Sequence, residues 1–145
     1  MADNGLILTI ERTFAAPVDR VWKAWSDRGT IARWWGPPGT EVLMAKHDFR
    51  EGGAWRYLMP LPDGSDFVSE GEFQTIEAGH KIITTANFRP MTEGVVMEVT
   101  LREESGQTRM IFAVHHQTET QKEQQEKMGF FRGWGNAFDR LAEVV

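Results

Sequence analysis

Residues 107–145 read QTRMIFAVHHQTETQKEQQEKMGFFRGWGNAFDRLAEVV, and the period of their apolar residues changes once along the way. Up to His116 the apolar residues alternate. Met110, Phe112 and Val114 share one parity, the spacing of a half-buried strand. Beyond that point, at roughly 100° per residue, Phe131, Trp134, Phe138, Leu141, Ala142 and Val145 fall within an arc of about 120°. Arg132, Asn136, Asp139, Arg140 and Glu143 lie on the other side. The spacing predicts a long amphipathic C-terminal helix with an aromatic buried face, and Thr120 with Glu123 supplies a capping box at its start. Gly129, Gly133 and Gly135 each cost roughly 1 kcal/mol in a helix interior. They are read as a bend, as close packing, or as room for a ligand or the sheet.

Upstream of this stretch the strand period dominates. Leu6, Leu8, Ile10 and Phe14 alternate with Thr9, Glu11 and Thr13, which predicts a first strand. Pro17 opens a short helix whose Val18, Val21, Trp22 and Trp25 make one apolar face. Ser26-Asp27 closes it and caps a second short helix carrying Ile31 and Trp34, which Gly36-Pro37-Pro38-Gly39 stops. Strands follow over 41–49, 54–59, 67–76, 81–88 and 95–101, separated by Gly52-Gly53, Pro62-Asp63-Gly64, Ala78-Gly79 and Ser105-Gly106. Six or seven strands with short turns make an antiparallel meander. The order strand, two short helices, strands, long helix has one economical solution: an α+β fold in which a curved sheet buries one face against the C-terminal helix. A gap between sheet and helix is where a ligand would enter.

Composition narrows the function classes. The chain has 145 residues and 16.5 kDa, the size of one domain spanning 1–145, and about two-thirds of its surface can leave water. A net charge of −5 argues against nucleic acid as a partner. With no cysteine, disulfides, thiolate metal sites and cysteine nucleophiles are excluded. The N-terminus shows no basic region followed by an apolar run, and no stretch is apolar enough to span a bilayer, so a cytoplasmic location is expected. Six Trp, nine Phe and seven Met accompany a single Tyr, which suits either a generous core or an apolar cavity.

The ordered set Arg12-Thr-Phe-Ala-Ala-Pro17, Val21-Trp22-x-Ala24-Trp25 and Trp34-Trp35-Gly36-Pro37 resembles the domain named for the activator of heat-shock protein 90 ATPase. Asp48-Phe-Arg-x-Gly52-Gly53-x-Trp55, Asp63-Gly64, Gly71-x-Phe73, Gly133-Trp134 and Asp139-Arg140-Leu141 extend the resemblance over essentially the whole chain. It implies the helix-grip fold of the SRPBCC superfamily, shared with START domains, birch-pollen-type allergens and polyketide cyclases. In the eukaryotic co-chaperone this domain follows another that engages the chaperone. Here the first strand begins at about Leu6, so a chaperone partner is not expected. Fold analogy supplies no reaction.

The chain offers few residues in reactive patterns. His47, His80, His115 and His116 form no ligand-spaced pair, so no metal and no cofactor are assigned. His115 and His116 are adjacent on a strand and point to opposite faces. His116 shares the inward parity and is either a satisfied histidine at a strand end or a group that orients a ligand or acts as a base. Glu70 and Glu72 share the outward parity. Asp48 is expected to pair with Arg50 or Arg56. No Gly-x-Ser-x-Gly elbow and no phosphate-cradling glycine pattern is present.

The aromatic set remains. Trp55, Tyr57, Phe73, Phe88, Met97 and Phe112 occupy inward strand parities, and Phe131, Trp134 and Phe138 face them from the helix. Trp34 and Trp35 are placed at a mouth. With His116, these twelve are the expected ligand-binding residues, set against the plainer reading that they fill the core. The expected function is binding of a small hydrophobic or amphipathic molecule between sheet and helix, with no reaction assigned. An enzyme of the cyclase, dehydratase or hydrolase kind in the same cavity is the alternative, and a protein-interaction module the third reading. A homodimer is left open.

Overall fold

The computed structural model describes residues 6–35, 42–89 and 92–145. Its elements run β1 (Ile7–Phe14), α1 (Val18–Ser26), α2 (Arg28–Trp34), β2 (Leu43–His47), β3 (Ala54–Pro60), β4 (Asp66–Glu77), β5 (Lys81–Arg89), β6 (Thr92–Glu104), β7 (Gln107–His115), α3 (Glu119–Lys127) and α4 (Phe130–Val144). The Gly36–Gly39 stop and the first residue of the 41–49 strand lie outside the described residues. The seven strands make one antiparallel sheet in the order β1-β7-β6-β5-β4-β3-β2. Strands β2 to β7 form a meander, and β1 closes beside β7 through pairs such as Ile10 with Phe112.

Alternation decides which face is covered. In β5, Ile82, Thr84, Ala86 and Phe88 are buried while each intervening residue is partly exposed. Val95, Met97, Val99 and Leu101 of β6 and Met110, Phe112 and Val114 of β7 continue the same inner face. Register shifts between Met44 and Lys46, Phe73 and Thr75, and Ala86 and Phe88 break the ladders of β2–β3, β4–β5 and β5–β6. Such bulges add bend and twist to a sheet that has to wrap a helix. Gly71 makes a tighter approach possible: a Cβ there would lie 1.9 Å from the Thr85 carbonyl oxygen and 2.9 Å from the Trp55 indole nitrogen.

The helices differ from the sequence expectation in three ways. Asp27 caps α2 by accepting from Thr30 N at 3.0 Å, as expected. The C-terminal segment, however, is two helices. It breaks at Gly129, whose φ of 94° is in the left-handed region that favours glycine. Capping also starts earlier than Thr120: the Thr118 hydroxyl accepts from Gln121 N at 3.1 Å, and the Gln121 side chain accepts from Gln117 N at 2.8 Å. The buried face of α4 is also turned from the expected one. Phe130, Ala137, Phe138 and Leu141 are buried on α4, whereas Phe131 is 47% exposed and Ala142 lies on the outer side. Helix α3, with the sequence ETQKEQQEK, buries no residue.

Candidate functional site

The interior between sheet and helices divides into two parts. Beneath α1 and α2 the aromatic rings pack against one another. Trp25 meets Trp34 edge-on at 4.7 Å, Phe112 meets Phe138 edge-on at 5.1 Å, and Trp35 meets Tyr57 edge-on at 5.2 Å. Two of the indole nitrogens here are paired, while Trp25 Nε1 is buried without a hydrogen-bond partner. Trp34 Nε1 donates to the Ala24 carbonyl at 2.8 Å, and Trp55 Nε1 donates to the Thr84 hydroxyl at 2.7 Å. The space left among Trp35, Trp55, Tyr57, Phe73 and Met97 is only about 20 Å³.

Tyr57 is held by His47. The Ser26 carbonyl can only accept, so His47 Nε2–H donates to it at 2.7 Å. Nδ1 then accepts from the Tyr57 hydroxyl at 2.7 Å. Burial pushes the phenol far above its ordinary range, so it stays a neutral donor. The pair ties β2 and β3 to the end of α1.

Towards the β3–β4 turn and the α3–α4 joint the interior opens into a cavity of about 790 Å³, inside the range of roughly 300–1,000 Å³ common for small-molecule sites. The sheet contributes Met59, Pro60, Phe67, Ser69 and Phe88, and the turn contributes Leu61 and Pro62. Across from them stand Gln125 of α3, Met128 just past its end, and Phe130, Trp134, Asn136 and Ala137 of α4. Trp35 closes the inner end, meeting Trp134 edge-on at 5.4 Å. Gly129 and Gly133 leave the helical wall bare, for a Cβ on either would meet nothing within 4 Å. Small residues on both walls therefore hold the space open.

Ser69 is the unusual member. It is fully buried in the cavity wall, between Tyr57 of β3 and Phe88 of β5, and its hydroxyl has no hydrogen-bond partner. Leaving a buried hydroxyl unpaired costs about 1–3 kcal/mol. Gln125 anchors α3 at the same end by donating to the Thr92 hydroxyl, and Gln121 Nε2 donates to the Glu93 carbonyl at 2.7 Å.

Of the twelve expected residues, Trp35, Phe88 and Trp134 border the large cavity. Trp55, Tyr57, Phe73 and Met97 face inward but border only the small void. Trp34, Phe112 and Phe138 are completely buried in the packed part. Trp34 is therefore no mouth residue, because its indole turns inward to cap the Ala24 carbonyl. Phe131 is on the outer side of α4, next to the buried Phe130 and about 100° round the helix from it. His116 is buried, and its Nδ1–H donates to the Leu6 carbonyl at 3.0 Å while Nε2 has no partner. It packs against Phe130 and borders neither space. Burial holds its pKa below the ordinary value, outweighing the bond to Leu6. His115 lies on the opposite face, 3.3 Å from Glu98.

The sequence reading missed Ser69, the β3–β4 turn and Gln125. For Ser69 the signal was there: it shares parity with Phe67, Gly71 and Phe73, a lone hydroxyl on an apolar face. The expected ion pair at Asp48 is with Arg50, at 2.9 Å. No helix among the described residues is long and apolar enough to cross a membrane.

Residues 15–145 match the family model described as activator of Hsp90 ATPase homolog 1-like protein. No curated protein matches the chain. Among solved structures, a crystal structure from Nitrosomonas europaea is 28% identical, with a TM-score of 0.85 over 99% of this chain and 96% of its own. One from Mycobacterium smegmatis is 27% identical, with a TM-score of 0.87 over 99% and 92%. A solution structure from Arthrobacter aurescens is 28% identical, with a TM-score of 0.87 over 99% and 88%. With a family match over nearly its whole length and that fold shared by its relatives, the chain belongs to the activator of Hsp90 ATPase homolog 1-like family and carries the helix-grip fold of the SRPBCC superfamily.

Proposed function

We propose that this chain binds a small hydrophobic or amphipathic molecule in the cavity between β3–β5 and the α3–α4 joint. The observation that carries the reading is a space of about 790 Å³ walled mainly by apolar side chains, kept open by glycine and alanine where large residues would have filled it. Burying apolar ligand surface there contributes roughly 25 cal/mol per Å² before the costs of association. No reaction is assigned. An enzyme using this space needs an inward ionisable group with a shifted pKa, and Tyr57 and His116 are such groups. Neither borders the cavity, and the Tyr57 hydroxyl is already committed to His47.

Titration with Nile red, an uncharged dye that brightens in apolar surroundings, tests the reading. The expected result is saturable, one-to-one enhancement that is lost in Gly133→Leu, whose side chain fills the cavity, while circular dichroism is unchanged. Equal enhancement in both proteins would place the dye on the surface, and no enhancement in the parent protein would count equally against a cavity site.

A further inference from the structure

We infer that the cavity selects an uncharged, ring-rich molecule carrying a hydrogen-bonding oxygen that seats against Ser69, an inference that rests on the binding function proposed above. The first ground is charge. Among the described residues that line the cavity none is ionisable, and its polar side chains are Ser69, Gln125 and Asn136. The charges of the neighbouring strands are turned to the outer face of the sheet, where Glu70 accepts from Arg89 at 2.8 Å and lies 3.6 Å from Arg56. A carboxylate or phosphate drawn into this space would lose its hydration without gaining a cation.

The second ground is the Ser69 hydroxyl. Buried polar atoms are nearly always paired, and this one is fully buried without a partner. A serine hydroxyl can donate once and accept twice, so it suits an alcohol, phenol or carbonyl oxygen equally. It is shielded in the wall, so a ligand oxygen meets it only once a neighbouring side chain moves aside, and Phe88 is its cross-strand partner. The third ground is the wall itself. Trp35, Phe67, Phe88, Phe130 and Trp134 present five aromatic rings to the space. Flat ring systems gain stacked and edge-on contacts with such a wall that alkyl chains do not.

The matched series pyrene, pyrenemethanol and pyrenecarboxylate separates these grounds, read by energy transfer from tryptophan to pyrene in the parent protein and in Ser69→Ala. Pyrenecarboxylate is expected to bind at least about tenfold more weakly than pyrenemethanol at neutral pH, for want of a buried cation. Ser69→Ala is expected to weaken pyrenemethanol by roughly three- to tenfold, the worth of one neutral hydrogen bond, and to leave pyrene unchanged. A carboxylate bound as tightly as the alcohol, or an alcohol indifferent to Ser69→Ala, overturns the inference and leaves the binding function standing. No transfer to any of the three probes overturns both.

Discussion

The two ends of the sheet–helix interior use the same aromatic vocabulary to opposite effect. Under α1 and α2, Trp25, Trp34, Phe112 and Phe138 lie ring against ring and leave almost no space. At the α3–α4 joint, Phe67, Phe88, Phe130 and Trp134 surround about 790 Å³. Aromatic content does not distinguish the two. What differs is the residue facing each ring. At the packed end a ring meets another ring or a branched chain. At the open end the rings face Ser69 on the sheet and Gly129, Gly133 and Ala137 on the helices, residues too small to reach across. The helix break at Gly129 adds to this by replacing a continued apolar face with the polar helix α3, which buries nothing. A cavity in this fold is thus a property of its small residues, framed by large ones.

The packed end should carry the stability. Phe138 is completely buried, in contact with Trp25, Trp34, Phe112 and Trp134. Its replacement by alanine is expected to cost about 3–5 kcal/mol, the transfer term plus the cavity left behind. Urea unfolding of Phe138→Ala measures this directly. A loss below about 1 kcal/mol would mean that the packed end relaxes around the missing ring, and the contrast between the two regions would then be one of shape alone.

Gly133 makes the converse case. It sits inside α4, where glycine is disfavoured relative to alanine by about 1 kcal/mol, and an added Cβ would enter open space. Gly133→Ala is therefore expected to stabilise the fold by roughly 0.5–1 kcal/mol, read as a higher urea midpoint at unchanged slope. A destabilised variant would show that Gly133 is needed by the fold and not by the cavity, and would remove one of the residues on which the comparison depends.

How far the two regions could be told apart in the sequence follows from the same residues. Strand alternation at 81–88, 95–101 and 110–114 made the inner face of the sheet legible, because a parity error would turn a whole apolar set into water. The helix-grip order followed from the single change of period after His116. The cavity was not legible, for two physical reasons. Inward parity says that a side chain faces the interior, not whether something fills the space before it, so Trp55 and Phe88 looked alike. The face of α4 also depended on where the centre of its apolar arc lies. An arc centred between Trp134 and Phe138 makes Phe131 inward, whereas the buried Phe130, Ala137 and Leu141 put the centre on the other side of Trp134 and leave Phe131 outside. Ser69 was passed over because a lone serine among phenylalanines carries no motif, although its isolation on an apolar face was itself the signal.

His116 stands against Phe130, a ring of the open end, and it offers the smallest effect and a test of how dry that ring's surroundings are. Its ring stands edge-on to Phe130 at 6.5 Å, Nδ1–H is held by Leu6, and Lys122, Glu126 and His115 are the charged or titratable groups around it. Burial lowers its folded pKa below the ordinary 6.5. Above that value the ring is neutral in both folded and unfolded chains, so it adds nothing to the pH dependence. As the pH falls below it, the unfolded chain takes up the proton first, and stability is lost until the folded pKa is also passed. His116→Asn keeps an N–H that can donate to the Leu6 carbonyl and removes the titration. Its stability should therefore fall less steeply than that of the parent between about pH 7 and 5. Parallel curves would mean that water reaches Nε2, and that the surroundings of Phe130 are wetter than the burial of His116 implies.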